Sequence, residues 1–267
     1  MKDIIYLIQG KSNEMHYFKK VLKGKQFRLL TWDEKVDGCD FLPNSSWAEG
    51  RKFLQELVDI DKFEYVCFID GDVRILKGDI NSLESFLLKK KPAVLSPVVS
   101  KNIKIAGLPS LSDWFLSYGM DEQFLYIAVK VYKKVFNYRP FITDFDNVSW
   151  HFPCLIFQSF LGNELSISTV TYEGLIVDNT NHGDYPTTLD YEPLLNFMYQ
   201  NNLKIDFYPL LTGYQFIKAN SLQRFYRRLA NLKRIIRNKY FKEFYFKDYN
   251  EFLDSNVYES IRRFYVG

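Results

Sequence analysis

The chain is 267 residues long with a net charge of +3, and 18% of its residues are aromatic, 24 Phe and 19 Tyr among them. That length holds one large α/β domain or two small ones around a sizeable core. So small a net charge, with no nucleic-acid motif, speaks against a nucleic-acid partner, while the surplus of Tyr and Trp beyond core needs suits stacking on sugar rings.

Residues 4–8 form an apolar run that predicts a first strand ending at Gln9 and Gly10. The run is too short for the core of a secretion signal or a membrane span, so the expectation is a soluble cytoplasmic protein. A helix is expected over residues 14–22 and a second strand over 27–31, closing on Trp32 and Asp33. Gly38, Pro43, Asn44 and Ser45 mark a loop, after which Ser46 and Glu49 form a capping box at the head of a helix over 47–60. The third strand covers 65–70 and encloses Cys67; with Cys39 and Cys154 far away, neither a disulfide framework nor a zinc cluster is indicated. Strands alternating with helices imply a Rossmann-like, mostly parallel sheet, and the lack of G-x-G-x-x-G after the first strand disfavours a dinucleotide site.

Further along, a helix is expected over 80–90 with Asp79 or Asn81 at its cap, then a strand over 93–99. Residues 101–121, with Gly107, Pro109 and Gly119, suggest a loop or short hairpin. A strand over 124–132, a helix over 150–160, a strand over 170–177, a helix over 189–200 and a short strand over 204–207 complete the pattern. No repeat or linker interrupts it, so residues 1–217 are expected to form one catalytic domain and 218–267 a basic, aromatic-rich helical extension.

The chemistry concentrates where the third strand ends in Asp70, Gly71 and Asp72. Ligands of open α/β sheets bind beyond the carboxyl ends of strands. Glycine between the aspartates lets the backbone turn sharply, so that both carboxylates can face one divalent cation carrying a diphosphate. Trp47, Ala48, Glu49, Gly50 and Arg51 open the preceding helix. A D-x-D motif after such a strand, with this W-A-E-G-R stretch ahead of it, resembles the bacterial GT-A class of nucleotide-sugar glycosyltransferases over residues 4–210.

That resemblance implies a GT-A fold and hexosyl transfer from a UDP- or GDP-sugar to a carbohydrate or glycolipid acceptor, as in cell-surface polysaccharide synthesis. It implies Mn²⁺ or Mg²⁺ held by Asp70, Asp72 and His182, the last in the polar loop after the strand over 170–177; imidazole with carboxylates favours Mn²⁺. It also assigns Arg51 to the nucleotide diphosphate, which its planar fork suits; pairing with Glu49 or Glu56 is the alternative. Asp144 and Asp146, beside Trp150, form a candidate acceptor site in which Trp150 stacks on a sugar face and Asp146, or else Asp144, takes the hydroxyl proton. Either aspartate is alternatively a cap for the helix beginning near Ser149, and Asp121 and Glu122 are weaker candidates from the same region. Gln9 and Asp33, at the first two strand ends, are placed to receive base and ribose.

Two rivals remain from the sequence. A haloacid-dehalogenase-like phosphatase also uses two aspartates one residue apart, but on its first strand, and a sugar- or nucleotide-binding module keeps the fold without turnover. Residues 218–247 carry ten basic residues against Glu243, with Leu222, Phe225, Tyr226, Leu229, Leu232, Ile236 and Tyr240 at helical spacing. This predicts either a helix docked on the domain or peripheral contact with an anionic membrane surface on its inner face.

Overall fold

The computed structural model describes residues 4–100, 114–117, 122–134, 142–146, 148–149, 151–159, 169–179 and 192–200. β1 (Ile4–Gly10) is buried along its whole length, as an apolar strand with neighbours on both edges must be. It pairs in parallel with β2 (Gln26–Thr31) on one side and β4 (Tyr65–Asp70) on the other, and β2 pairs in parallel with the two-residue β3 (Asp40–Phe41). The short helix α1 (Met15–Val21) links β1 to β2. Helix α2 (Trp47–Glu56) precedes β4 and starts where the capping box requires: Ser46 Oγ accepts from Glu49 N at 3.0 Å, and Glu49 Oε2 accepts from Ser46 N at 2.9 Å. Helix α3 (Ile80–Lys90) is capped by Asp79, which accepts from Ser82 N at 2.9 Å.

The two faces of β1 carry different loads because successive side chains alternate. Tyr6 points toward α3, where its hydroxyl donates to Glu84 Oε1 at 2.5 Å and Lys25 Nζ closes on Glu84 Oε2. Gln9 lies on the other face, against α2.

Beyond β4 the sheet changes character. Its order is β3-β2-β1-β4-β8-β6-β9-β5, with β8 (Phe124–Ala128), β6 (Val94–Val99), β9 (Thr169–Asn179) and β5 (Val73–Lys77), while β7 (Trp114–Ser117) pairs with β9 off that path. Helices α4 (Val129–Lys134), α5 (His151–Ser159) and α6 (Glu192–Gln200) complete the described elements. The protein is thus α/β, with a mixed sheet and flanking helices. Among the described residues the parallel character expected of most of the sheet holds for β3-β2-β1-β4 and for β6 with β9; the other pairings are antiparallel.

Several boundaries differ from expectation. Val73 begins a strand, β5, where no element is expected between Asp72 and the helix over 80–90. The run over 124–132 divides into β8 and α4, because Val129 N bonds Glu64 O at 2.8 Å and turns the chain away from the ladder. The helix expected to reach Ile60 stops at Glu56, and a 3₁₀ turn follows at Ile60–Lys62. The strand expected over 204–207 and the extension over 218–267 lie outside the described residues.

One consequence of the strand order positions the site. β4 and β5 occupy distant places in the sheet yet are joined only by Gly71 and Asp72. Three Cα steps of about 3.8 Å allow no more than ~11 Å between Asp70 and Val73, so the sheet curls until β5 and its partner β9 meet the carboxyl end of β4.

Candidate functional site

Asp70 ends β4 opposite Gln9 of β1, and its backbone N–H donates to Gln123 O at 2.8 Å. Its carboxylate is clamped from α2. Arg51 Nη2 lies 2.9 Å from Oδ1, and Trp47 Nε1 donates to Oδ1 at 3.1 Å and approaches Oδ2 at 3.3 Å. Trp47 and Arg51 act together because residues four apart share one helix face. The guanidinium lies 4.0 Å from the Trp47 ring centroid and 5.4 Å from that of Phe68, and Arg51 Nη2 also donates to Glu122 O at 2.7 Å. The Arg51 side chain is 1% exposed and that of Asp70 22%, so the pair is an enclosed cation holding a partly exposed carboxylate. Removing one partner of such a pair leaves an uncompensated charge, at a cost of about 3–5 kcal/mol.

Gly71 is required by contact. Its N–H donates to Gln9 O at 2.7 Å, and a Cβ there would come within 2.7 Å of Gly10 Cα and 2.5 Å of Glu14 Oε2. Glu14 is buried beneath this turn, and its Oε2 accepts from Lys11 N at 2.7 Å.

Asp72 carries the electrostatic strain of the site. Partial burial, Asp70 and Glu14 push its carboxyl from 3.8 up to about 6, against hydrogen bonds from its own backbone N–H and from the Asn179 side chain. Crowded anions of this kind are what a divalent cation neutralises, so Asp72 fits as an oxygen ligand for a hard cation. Asp70 fits less directly, since its oxygens already receive Arg51 and Trp47. Among the described residues no group of three or more His, Cys, Asp or Glu side chains is placed to hold a metal ion. The end of β9 also reaches this turn: Asn179 pairs with Val73 and is the last residue of that strand.

A second carboxylate lies at the start of α2. Burial pushes the Asp146 carboxyl up, a hydrogen bond from Ser46 holds it back, and Glu49 and Asp144 add repulsion. Ser46 adjoins Trp47, so Asp146 and Asp70 are each bonded to one of two consecutive residues at the start of α2. The segment is anchored by buried Phe145, whose ring meets Phe152 and Phe197 edge-on at 5.5 and 5.3 Å. Asp144 is exposed.

No protein-family model matches the chain, and no curated protein matches it. Solved structures similar to it include A197 from STIV, with a TM-score of 0.44 and 12% identity over 66% of this chain and 84% of that one. They also include S. aureus TarS 1–349, with a TM-score of 0.43 and 11% identity over 99% and 91%. The same TarS segment in complex with UDP-GlcNAc gives a TM-score of 0.45 and 12% identity over the same shares of 99% and 91%.

The fold brings Asp70, Asp72, Arg51 and Asp146 to one region but gives two expected ligand contacts other surroundings. Arg51, expected on a diphosphate, is enclosed and bound to Asp70 and Glu122 O rather than to Glu49 or Glu56. Gln9, expected to meet base or ribose, is 2% exposed; its Nε2 donates to Trp47 O at 3.0 Å and its Oε1 packs on Gly50, so it seats α2 on β1. Asp33 stays exposed at the end of β2, where, against the upward push of burial, Ser12 N at 2.8 Å and Ser12 Oγ at 2.9 Å hold its carboxyl below the usual value. Trp150 and His182 lie outside the described residues. The sequence expectation missed Trp47 as a partner of Asp70, although its i, i+4 spacing to Arg51 was visible. It also missed the Glu122 carbonyl, Glu14 and Asn179, which no local motif marks.

Proposed function

We propose that the chain is a metal-dependent GT-A-type glycosyltransferase that moves a hexosyl group from a UDP- or GDP-sugar to a carbohydrate acceptor. One observation carries this reading: a two-residue link at the carboxyl end of central strand β4 presents one carboxylate fixed by an enclosed arginine beside another whose proton affinity is raised by burial and by neighbouring anions. Mn²⁺ or Mg²⁺ bound there would neutralise charge on the departing nucleoside diphosphate. Asp72 would hold the cation, while Asp70, fixed in orientation by Arg51 and Trp47, would meet the donor's ribose or a coordinated water. His182, three residues beyond Asn179 and so at most ~11 Å of chain away, would complete the shell.

On the acceptor side, the bond that forms joins the acceptor oxygen to the anomeric carbon, and the bond that breaks joins that carbon to the diphosphate. Asp146 takes the hydroxyl proton in an inverting reaction, as burial raises its basicity and Ser46 orients it. Trp150 would provide the stacking surface. A lipid-linked acceptor at the inner face of a membrane fits the basic stretch over 218–247. Among the described residues no helix is long and apolar enough to cross a membrane.

The phosphatase alternative needs a carboxylate able to attack phosphorus, and the Asp70 oxygens are both approached by donors. A thermal-shift panel of nucleotide sugars with and without Mn²⁺ tests the proposal. A ligand at ~100 times its Kd adds about 2.7 kcal/mol, or roughly 5–10 °C for a domain of this size. The expected result is a shift with a UDP- or GDP-sugar that needs the metal. No shift with any nucleotide sugar would sink the proposal, and binding without transfer would leave a non-catalytic module.

A further inference from the structure

The turn carrying Asp72 is also held by the side chain of Arg74. Arg74 Nη1 donates to Gly71 O at 2.6 Å and to Val73 O at 2.8 Å, and its guanidinium lies 4.6 Å from the Tyr17 ring centroid. Tyr17 in turn accepts from Ile75 N at 2.9 Å through its hydroxyl, so both residues brace the start of β5. Asp178 stands opposite Arg74 in the β5–β9 register, yet its Oδ1 accepts from Ser100 Oγ, and among the described residues no carboxylate forms an ion pair with Arg74. The arginine is committed to the main chain of the turn.

That commitment fixes a peptide plane. The unit between Gly71 and Asp72 is planar and trans, so its C=O and N–H point in opposite directions. With the Gly71 carbonyl drawn to Arg74, the Asp72 N–H is turned the other way, where it donates to the carboxylate of Asp72 itself. Asn179 donates to the same carboxylate from β9. We infer that Arg74 is a positioning residue for Asp72, setting the direction of its carboxylate through the Gly71–Asp72 peptide. This rests on the assignment of Asp72 as the cation ligand. Lysine does not reproduce the placement, because its ammonium lacks the planar guanidinium that lies over Tyr17 while Nη1 alone donates to both carbonyls.

Three readouts on the full-length chain test the inference: Mn²⁺ titration without nucleotide, amide hydrogen exchange at Asp72, and KM for the donor against kcat. Arg74→Lys and Arg74→Ala are each expected to weaken Mn²⁺ about tenfold or more, the usual effect of losing a residue that orients a ligand. The Asp72 amide should exchange faster while β4 amides keep their protection, and donor KM should rise more than kcat falls. Millimolar guanidinium should restore part of the Mn²⁺ affinity of Arg74→Ala. Wild-type Mn²⁺ titrations for both variants, with binding lost in Asp72→Asn, would overturn the positioning role and leave the metal assignment standing. Absence of Mn²⁺ and Mg²⁺ binding by the wild type would overturn both.

Discussion

Replacing Asp72 by Asn should make the metal-free protein more stable while abolishing its response to metal. The carboxyl rises from 3.8 to about 6 in the fold, and at about 1.36 kcal/mol per unit a two-unit rise corresponds to a ceiling of about 3 kcal/mol. Water reaches part of this side chain and screens it, which brings the expected gain to about 1 kcal/mol, or roughly 2–4 °C in Tm. The sign follows from proton uptake. A carboxyl with a raised folded pKa binds its proton more tightly in the folded state, so its stabilising contribution is full below about 3.8 and lost as pH rises through about 6. Asn mimics the protonated form, so the advantage of the variant should be largest at pH 7.5 and fade toward pH 4. Urea unfolding followed by circular dichroism in chelator, at pH 7.5, 6 and 4.5, measures it. In saturating Mn²⁺ the ranking should invert, because only the wild type gains the linkage energy of a bound ion. A variant no more stable than wild type at pH 7.5, or one whose advantage does not shrink with acid, would refute the reasoning.

Arg51→Met should destabilise the fold by about 3 kcal/mol by stranding the Asp70 charge. Adding Asp70→Asn should recover part of that loss, and strictly additive urea-unfolding energies in the double-mutant cycle would show that the two do not act as a pair. Asp146→Asn should keep donor affinity by calorimetry while lowering transfer by about 10²–10⁴; full transferase activity would reduce Asp146 to a local hydrogen-bond partner of Ser46. Neutralising Arg227, Arg228, Lys233 and Arg234 to Gln in the full chain should weaken co-sedimentation with anionic vesicles, at ~1 kcal/mol per charge at low salt, and leave neutral vesicles unaffected. Equal binding to both vesicle types would remove the membrane role.

What the sequence made legible was local. The apolar runs marking β1, β2, β4 and β6, and the Ser46–Glu49 box, are one-dimensional signals, and each led to an element near its expected place. The curl of the sheet was not legible, because it follows from β5 pairing with β9 across more than a hundred residues of chain, a long-range choice no window displays. The same holds for the site. Asp70 and Asp72 stand out as a motif, but their different surroundings come from Arg51 and Trp47 on α2 and from Glu14 beneath Gly71. Gln9 and Arg51 were placed at a ligand by strand-end position and by resemblance; tertiary packing enclosed both instead.

In the proposed reaction Asp72 holds a cation on which use of a nucleotide sugar depends. The most direct test is release of nucleoside diphosphate from UDP- and GDP-sugars by the full-length protein, with a saccharide acceptor mixture, in Mn²⁺ and in chelator, for wild type and Asp72→Asn. The wild type should release it in Mn²⁺ but not in chelator, and the variant should release none above background. Metal-independent release, or equal release by Asp72→Asn, would contradict this role of Asp72.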